Sequence, residues 1–179
     1  QAVQGIGDAC RYFDIPVVSG NVSLYNETKG QAIFPTPTVA VVGLIEDQTK
    51  TMTQGFKKSG HQIALIGFTR EELGGTEYLK VMFDCSEGKP PVLDRKKEKK
   101  VQSFCRELIQ KDLISSAHDC SEGGLAVAVA ESCFSPECET LGASLMIEST
   151  LRNDSLLFGE TQSRIIISFS KEQINEIKG

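Results

Sequence analysis

Short apolar runs of strand length alternate with segments of helical periodicity, and this alternation restricts the possible folds more than any other feature of the chain. Strand-length runs lie at residues 62–68, 114–118, 141–147 and 164–169. Asp94 precedes an amphipathic helix, and shorter helices are predicted at 74–82, 125–133 and 171–177. The apolar stripe of the amphipathic helix is formed by Val101, Phe104, Cys105, Leu108 and Ile109. This order predicts a sheet layered with helices, in an α/β or α+β fold.

The first 50 residues follow a different pattern. Residues 1–13 have the apolar spacing of a helix, and residues 15–19 and 22–25 predict two strands around a tight turn at Gly20-Asn21. A further buried strand is predicted at 36–45, after which the polar residues 46–49 end the apolar pattern. We therefore predict a domain boundary near residue 50.

Both ends of the chain lie inside predicted helices. Residue 1 is Gln with no N-cap before the first helix, and the helix that Ser170 could cap stops after barely two turns. The 179 residues have room for one domain, or for one domain plus a piece of another. We expect the chain to be a fragment of a longer protein.

Composition and charge exclude several classes of function. The chain is 40% hydrophobic and 24% charged, which allows a packed core. Its 19 Lys and Arg against 24 Asp and Glu give a net charge of -5, which argues against a nucleic-acid or anionic-membrane partner. The longest apolar stretch, residues 39–45, is far shorter than the roughly 20 residues of a membrane span, and the N-terminus shows no export signal. A soluble, cytoplasmic protein is expected.

The cysteines and histidines do not have the spacing of a zinc site. None of the six cysteines forms a Cys-x-x-Cys pair, and the two histidines are His61 and His118. Disulfides are not expected in a chain of this length without an export signal. We predict that most of the thiols are reduced and serve as small core residues.

The segment from His118 to Gly124 is the richest in possible chemistry, because it joins a predicted strand to a predicted helix. Its two glycines allow a phosphate to approach the backbone, Asp119 and Glu122 offer hard oxygens to Mg²⁺, and Ser121 adds a hydroxyl. An equally good interpretation is a plain turn in which Ser121 is the helix N-cap. The segment is not a Walker A loop.

Two further segments carry polar groups beside apolar runs. In the segment 19–27, Gly20 permits close backbone approach, and Asn21 and Ser23 would face the same side of an extended chain. In the segment 159–164, polar residues precede an apolar strand. Taken alone, the first is more simply a hairpin and the second a surface loop. No nucleophile–base arrangement is visible, so no catalytic residue is predicted in this chain.

Together these segments resemble the phosphoribosylformylglycinamidine synthase family, the formylglycinamide ribonucleotide amidotransferases, in the shorter synthetase subunit without a fused glutaminase. The family lies in the aminoimidazole ribonucleotide synthase-like superfamily. The resemblance extends over nearly the whole chain. The matching segments are residues 16–28 (PVVSGNVSLYNET), 35–37, 42–47, 72–79, 116–128 (SAHDCSEGGLAVA) and 157–164 (LFGETQSR).

The resemblance implies a carbon–nitrogen ligase of purine biosynthesis. In that reaction ATP phosphorylates the amide oxygen of formylglycinamide ribonucleotide, and ammonia displaces phosphate to give the amidine. A separate glutaminase subunit would supply the ammonia, and a small protein would bridge the two. The family has two similar halves. Residues 1–47 would end the second half's first, smaller α+β domain, and residues 50–179 would form its second domain, a sheet layered with helices.

The resemblance also implies roles for individual residues. Gly20 matches an ATP contact, Asn21 a Mg²⁺ ligand and Ser23 a contact to the ribonucleotide substrate. Asp119 and Ser121 match an auxiliary metal and nucleotide site of the long form of the family. Glu160 to Gln162 resemble the substrate-binding loop of the first half, and the resemblance adds Glu160 and Gln162 to the possible auxiliary site. The family's catalytic histidine belongs to the first half, so we expect no turnover by this chain alone.

Two alternatives remain at this point. One is another ATP-using member of the superfamily, such as aminoimidazole ribonucleotide synthase, selenophosphate synthase or thiamine monophosphate kinase, which the long motif at 20–27 disfavours. The other is a non-catalytic domain that contributes surface for the assembly of subunits.

Overall fold

The structure is a computed structural model and describes residues 1–23, 26–34, 36–136 and 140–178. Its contacts divide the chain into two compact units, Gln1–Leu44 and Ile45–Gly179. The second unit contains a three-stranded sheet with helices and is an α+β fold. Within the described residues, no helix has the length and apolar character needed to cross a membrane.

The first unit begins with the predicted helix, α1, at Ala2–Phe13. The helix ends at Phe13, and the left-handed backbone of the next residue, Asp14, turns the chain so that the Ile15 N–H donates to the Cys10 carbonyl at 2.9 Å. A small antiparallel hairpin then joins β1, Glu27–Thr28, to β2, Gln31–Ala32. The two turn residues, Lys29 and Gly30, both have positive φ, which is the geometry of a tight two-residue hairpin.

The strands predicted elsewhere in this unit are wrong. Residues 15–23 and 36–45 have no regular structure and are exposed, and the turn lies at Lys29-Gly30 rather than at Gly20-Asn21. The end of the prediction for 22–25 lies outside the described residues. An apolar run becomes a strand only when another strand pairs with its backbone groups. Within the described part of this unit, β1 and β2 form the only ladder, and Val42 is 96% exposed.

The sheet of the second unit consists of β3, Gln62–Ile66, β4, Ser116–Asp119, and β5, Ile165–Phe169. The strand order is β3-β5-β4, and β5 pairs antiparallel with both neighbours. The predictions at 62–68, 114–118 and 164–169 are confirmed, with ends that differ by one or two residues. The prediction at 141–147 is wrong, because this segment has no ladder hydrogen bonds in the structure and forms no strand.

Two of the capping residues that the sequence predicts, Asp94 and Ser170, cap helical segments of the second unit. Asp94 Oδ1 accepts the backbone N–H groups of Lys96 and Lys97 at 3.0 and 3.2 Å, and Ser170 forms a reciprocal capping box with Gln173. The helices are α2, Glu77–Phe83, α3, Arg95–Gln110, α4, Gly124–Phe134, α5, Asn153–Phe158, and α6, Ile174–Lys178, with 3₁₀ turns at Gln48–Lys50 and Lys171–Gln173.

Two apolar clusters cover the sheet, one on each face. Ile166 and Ile167 of β5 are both 1% exposed and belong to different clusters, because neighbouring residues of a strand point to opposite faces. Residues of α4 pack around Ile166, and residues of α3 pack around Ile167. The first cluster contains Phe56, Cys120, Leu125, Ala128, Val129, Cys133 and Ile166, and the second contains Cys105, Leu108, Leu113, Ile114, Ile167 and Phe169.

The cysteines that the structure describes carry free thiols. Cys105, Cys120 and Cys133 are buried in the two clusters, and Cys10 and Cys85 are partly buried. This agrees with the prediction of reduced core thiols. Cys138 lies outside the described residues.

Candidate functional site

A cavity of about 460 Å³ lies where β4 ends and α4 begins. Asp119 and Ser121 line it from the segment between β4 and α4, and Glu160 and Gln162 line it from the loop before β5. The structure thus brings together the four residues predicted for the auxiliary site, although they come from separate parts of the chain. Sequence reasoning missed a third contribution, from Glu98, Val101 and Gln102 of α3.

The sheet places these two loops side by side. Asp119, the last residue of β4, pairs with Ile165, the first residue of β5. One residue further on, the Cys120 N–H donates to the Arg164 carbonyl at 3.0 Å. Because β4 and β5 are antiparallel, the end of one lies beside the start of the other. The segments 119–124 and 159–164 therefore meet at one end of the sheet, where β4 ends and β5 begins.

The Gly123-Gly124 pair allows α4 to start against the neighbouring loop. Both glycines have positive φ, +77° and +70°. A Cβ at Gly124 would lie 2.6 Å from the Gly159 carbonyl oxygen, and one at Gly123 would lie 2.4 Å from Cγ2 of Val127. Both the backbone conformation and the space therefore require glycine here.

Ser121 does not cap α4, so the plain-turn interpretation is wrong in this detail. The N-cap position is Gly123, and no side chain caps the helix. The Ser121 hydroxyl instead donates to Asp119 Oδ2. The Asp119 side chain is 70% exposed, so its carboxylate is open to the cavity and to solvent.

His118 is held between carboxylates beside the cavity. Its Nε2 lies 2.8 Å from Glu131 Oε2 on α4, and its Nδ1 lies 3.6 Å from Asp119 Oδ1. The sequence suggests no link between His118 and Glu131, because the contact depends on how α4 packs against β4. His118 is therefore engaged in a contact that braces α4 against the sheet.

Glu160 is fixed by the backbone at the starts of two helices. Its Oε1 accepts the N–H of Gly123 before α4 and the N–H of Glu77 at the start of α2, both at 2.9 Å. Its own N–H donates to the Glu72 carbonyl at 3.2 Å. A carboxylate is a favourable group at helix N-termini. Glu160 therefore has a structural role that its position in a polar loop does not reveal.

Arg164 is a buried cation that shapes the same loop. It is 2% exposed, and its guanidinium donates to the carbonyls of Gly159 and Thr161 at 2.6 and 2.9 Å and to Thr69 Oγ1 at 3.1 Å. Burial lowers its pKa below the ordinary value, and the nearby Glu72 counteracts that effect. A single arginine directly before the apolar run 165–169 is the sequence signal that could have identified it.

Cys120 lines the cavity but is not a nucleophile at neutral pH. Burial raises the pKa of its thiol to about 11, although Arg164 acts in the opposite direction. The thiolate is the reactive form of cysteine. Cys120 therefore stays protonated at neutral pH and serves as a core residue at the cavity wall.

The donor set fits a magnesium ion only when a phosphate shares it. Among the residues that the structure describes, no group of three or more His, Cys, Asp and Glu is arranged around one metal position. Mg²⁺ usually keeps several waters and binds one or two carboxylates together with substrate phosphates. Asp119 and Glu122, with the Ser121 hydroxyl, could provide that smaller protein share.

The other predicted site residues lie in the first unit. Gly20, Asn21 and Ser23 are exposed in a segment without regular structure. Among the described residues, no atom lies within 4 Å of a Cβ built at Gly20, so packing inside this unit does not require a glycine there. Their predicted roles remain predictions that rest on the motif.

Two family models match the chain. The model for the AIR synthase related protein, N-terminal domain, matches residues 1–45, and the model for the C-terminal domain of the same family matches residues 58–179. Phosphoribosylformylglycinamidine synthase subunit PurL of Anaeromyxobacter sp. (strain Fw109-5) is 50% identical over 96% of the chain. PurL of Caldanaerobacter subterraneus subsp. tengcongensis is 47% identical over 98% of it. The chain spans 23% and 24% of the lengths of these two relatives.

Solved structures of PurL share the fold of this chain. "T. maritima PurL complexed with FGAR" superposes with a TM-score of 0.56 at 18% identity, over 73% of this chain and 23% of that one. "T. maritima PurL complexed with ATP" superposes with a TM-score of 0.52 at 17% identity, over 73% of this chain and 20% of that one. At these identities the likeness establishes the fold alone.

Proposed function

Because the chain belongs to the AIR synthase related family, we propose that it is part of the synthetase subunit of a phosphoribosylformylglycinamidine synthase. That enzyme is a glutamine-dependent carbon–nitrogen ligase, which converts formylglycinamide ribonucleotide, ATP and ammonia to the amidine, ADP and phosphate. Relatives with this name are about 50% identical to this chain over nearly its whole length. They are about four times as long as this chain. The whole reaction is therefore assigned to the longer protein, and this chain to a part of it.

The observation that carries a nucleotide role is the shared cavity of Asp119, Ser121, Glu160 and Gln162. Asp119 is exposed and oriented by the Ser121 hydroxyl, so it can bind a magnesium ion that a phosphate also binds. When bound, magnesium would neutralise charge on the phosphate groups. Gln162 is an exposed donor at the rim, and Glu160 holds the loop in place.

The first unit would serve a different part of the enzyme. We propose that Gly20 approaches ATP, Asn21 supplies an oxygen to Mg²⁺, and Ser23 donates to the ribonucleotide substrate. Their exposure in the unit leaves these groups available to such ligands. The domain assignment proposed with these roles is 1–47 for the end of a smaller domain and 50–179 for the following larger one.

The proposed partners follow from the same assignment. They are the remainder of the synthetase subunit, a separate glutaminase subunit and a small bridging protein, with no nucleic acid or membrane. The proposed location is the cytoplasm, where the substrates of a soluble biosynthetic ligase are found. The net charge of -5 supports the exclusion of polyanionic partners.

Calorimetric titration of Mg²⁺–ADP into the chain tests the nucleotide role. Saturable binding is expected, and Asp119→Asn should weaken it about tenfold or more, because one charged metal ligand is lost. Asp112→Asn is the matched control, since Asp112 is an exposed carboxylate outside the cavity and its positive φ suits asparagine. Equal binding by the wild type and Asp119→Asn would refute the assignment.

A non-catalytic assembly role is the second candidate, and one observation favours it. Large apolar side chains of the first unit are exposed, including Val18, Phe34 and Val42. Patches of this kind usually mark contacts with other chains. Sedimentation of the chain with the glutaminase and bridging proteins, in the absence of nucleotide, distinguishes this role from nucleotide binding.

A further inference from the structure

A second cavity of about 290 Å³ lies between the end of β3, the start of α3 and the loop 161–163. It shares Val101, Gln162 and Ser163 with the cavity at Asp119, so the two adjoin. The proposed nucleotide role uses none of the side chains that are found only in this second cavity. Its volume is close to the lower end of the range for small-molecule sites.

The walls of this cavity include large apolar side chains that the fold leaves open. Phe68 is 75% exposed, Val92 is 63% exposed and Phe104 is 37% exposed. Phe104 belongs to the apolar stripe predicted for α3, yet it is not buried in either cluster. Two aromatic rings at one opening provide surfaces on which a flat ring can stack.

The charge of the cavity walls is positive in a chain that is acidic overall. Arg70, Lys97 and Lys100 line the cavity against one carboxylate, Asp94. Asp94 caps α3, and the backbone hydrogen bond from Lys97 holds the pKa of its carboxyl below the ordinary value. Lys97 Nζ lies over the Phe68 ring, 5.9 Å from its centroid. A cation and an aromatic face are therefore presented together.

Glu72 moderates this positive charge without cancelling it. Its Oε1 lies 3.8 Å from Arg70 Nη1 and also accepts the Val92 N–H at 3.0 Å. Glu72 itself does not line the cavity. Lys97 and Lys100 lie one turn apart on α3, so their ammonium groups extend from the same face of the helix.

We propose that this cavity binds a planar aromatic ring that carries an anionic group, in a ligand about the size of a nucleoside monophosphate. The ring would lie against Phe68 and Phe104, and the anion would be held by Lys97 and Lys100. Because this cavity offers three cations, and its one carboxylate, Asp94, is engaged in capping α3, the binding requires no metal. It is therefore separate from the magnesium-dependent role proposed for Asp119.

Titration of AMP into the chain in the presence of EDTA, followed by calorimetry, tests the proposal. Saturable binding at millimolar or lower AMP is expected. Adenosine, which lacks the anion, and ribose 5-phosphate, which lacks the ring, should each bind about tenfold more weakly or worse. Comparable binding of AMP and ribose 5-phosphate would overturn the requirement for a ring.

Variants locate the binding. Phe68→Ala and Lys97→Gln should each weaken AMP binding about tenfold, and both positions are exposed enough that circular dichroism should show an unchanged fold. Lys96→Gln is the matched control, because Lys96 is on the same turn of α3 but does not line the cavity. Unchanged AMP affinity in both cavity variants, or no AMP binding by the wild type, would overturn the proposal. Loss of AMP binding in Asp119→Asn alone would assign AMP to the first cavity and also overturn it.

Discussion

Glu160 Oε1 accepts the backbone N–H of Gly123 at 2.9 Å, across 37 residues of sequence. The same oxygen accepts the N–H of Glu77, so one carboxylate joins the segments 71–77 and 118–124. These two segments are similar in sequence, because each has an acidic residue and a Gly-Gly pair before a helix. The loop before β5 is thus connected directly to the starts of α2 and α4. This arrangement explains why the polar residues of that loop face the cavity at Asp119.

Replacement of Glu160 should destabilise the second unit. Glu160→Ala removes the acceptor of two partly buried N–H groups, and hydrogen bonds to charged groups contribute about 1.5–3 kcal/mol each. We expect the free energy of unfolding in urea to fall by about 2 kcal/mol or more. Gln162→Ala, at an exposed position in the same loop, should change it by less than about 0.5 kcal/mol. Equal unfolding free energies for the two variants would contradict this role.

Arg164 should tolerate little change despite lying in a loop. Arg164→Met leaves the carbonyls of Gly159 and Thr161 and the Thr69 hydroxyl without their donor. Buried acceptors that lose a charged donor usually cost about 3 kcal/mol in total. Chemical denaturation should show this loss, while Arg152→Met, at a side chain that is 73% exposed, should stay within about 0.5 kcal/mol of the wild type. A wild-type unfolding midpoint for Arg164→Met would show that the three bonds contribute little.

A methyl group at Gly124 should disturb both stability and the site. The positive φ costs an L-residue about 1–2 kcal/mol, and the new Cβ would lie 2.6 Å from the Gly159 oxygen. Gly124→Ala should therefore lower the thermal midpoint and weaken Mg²⁺–ADP binding together. Gly142→Ala is the control, because within the described residues no atom lies within 4 Å of a Cβ at that position. If Gly124→Ala behaves like the control, the close approach of the two loops is not needed.

The buried thiol of Cys120 should make the protein less stable at alkaline pH. The ordinary thiol pKa of 9.0 applies to the unfolded chain, whereas burial raises the folded value to about 11. Above pH 9 the unfolded state releases a proton that the folded state keeps. The free energy of unfolding therefore falls as pH rises toward 11. Between pH 9 and pH 11, the free energy of unfolding in urea should fall by about 2 kcal/mol more for the wild type than for Cys120→Ala. Parallel pH dependences for the two proteins would show that Cys120 does not titrate in this way.

The chain alone should not carry out the ligase reaction. The described residues around Asp119 include no activated nucleophile, since burial keeps the Cys120 thiol protonated and Glu131 engages His118. Phosphate release from ATP with formylglycinamide ribonucleotide and ammonia should remain at the level of a protein-free control. Sustained turnover would disprove the assignment of this chain to one part of a larger catalyst.

Features that depend on residues close together in the sequence were predictable. The apolar run of β5, the stripe of α3 and its Asp94 cap are local patterns, and each is found where it was expected. The strand predictions at 36–45 and 141–147 failed because apolar spacing does not specify a hydrogen-bonding partner. For the same reason, the motifs indicated Asp119 and Glu160 as candidate site residues but did not indicate the contact of Glu160 with Gly123 and Glu77. That contact exists only after the antiparallel β4–β5 pair has brought the loops together.

The central position of β5 has a consequence for synthesis on the ribosome. Ile63 in β3 pairs with Ser168 in β5, and the two neighbours of β5 make no ladder with each other. Both apolar clusters also need a residue of β5, Ile166 in one and Ile167 in the other. The sheet therefore cannot assemble until β5 has left the exit tunnel. Until then the nascent chain exposes two unpaired strands, whose backbone groups are open to pairing with other chains.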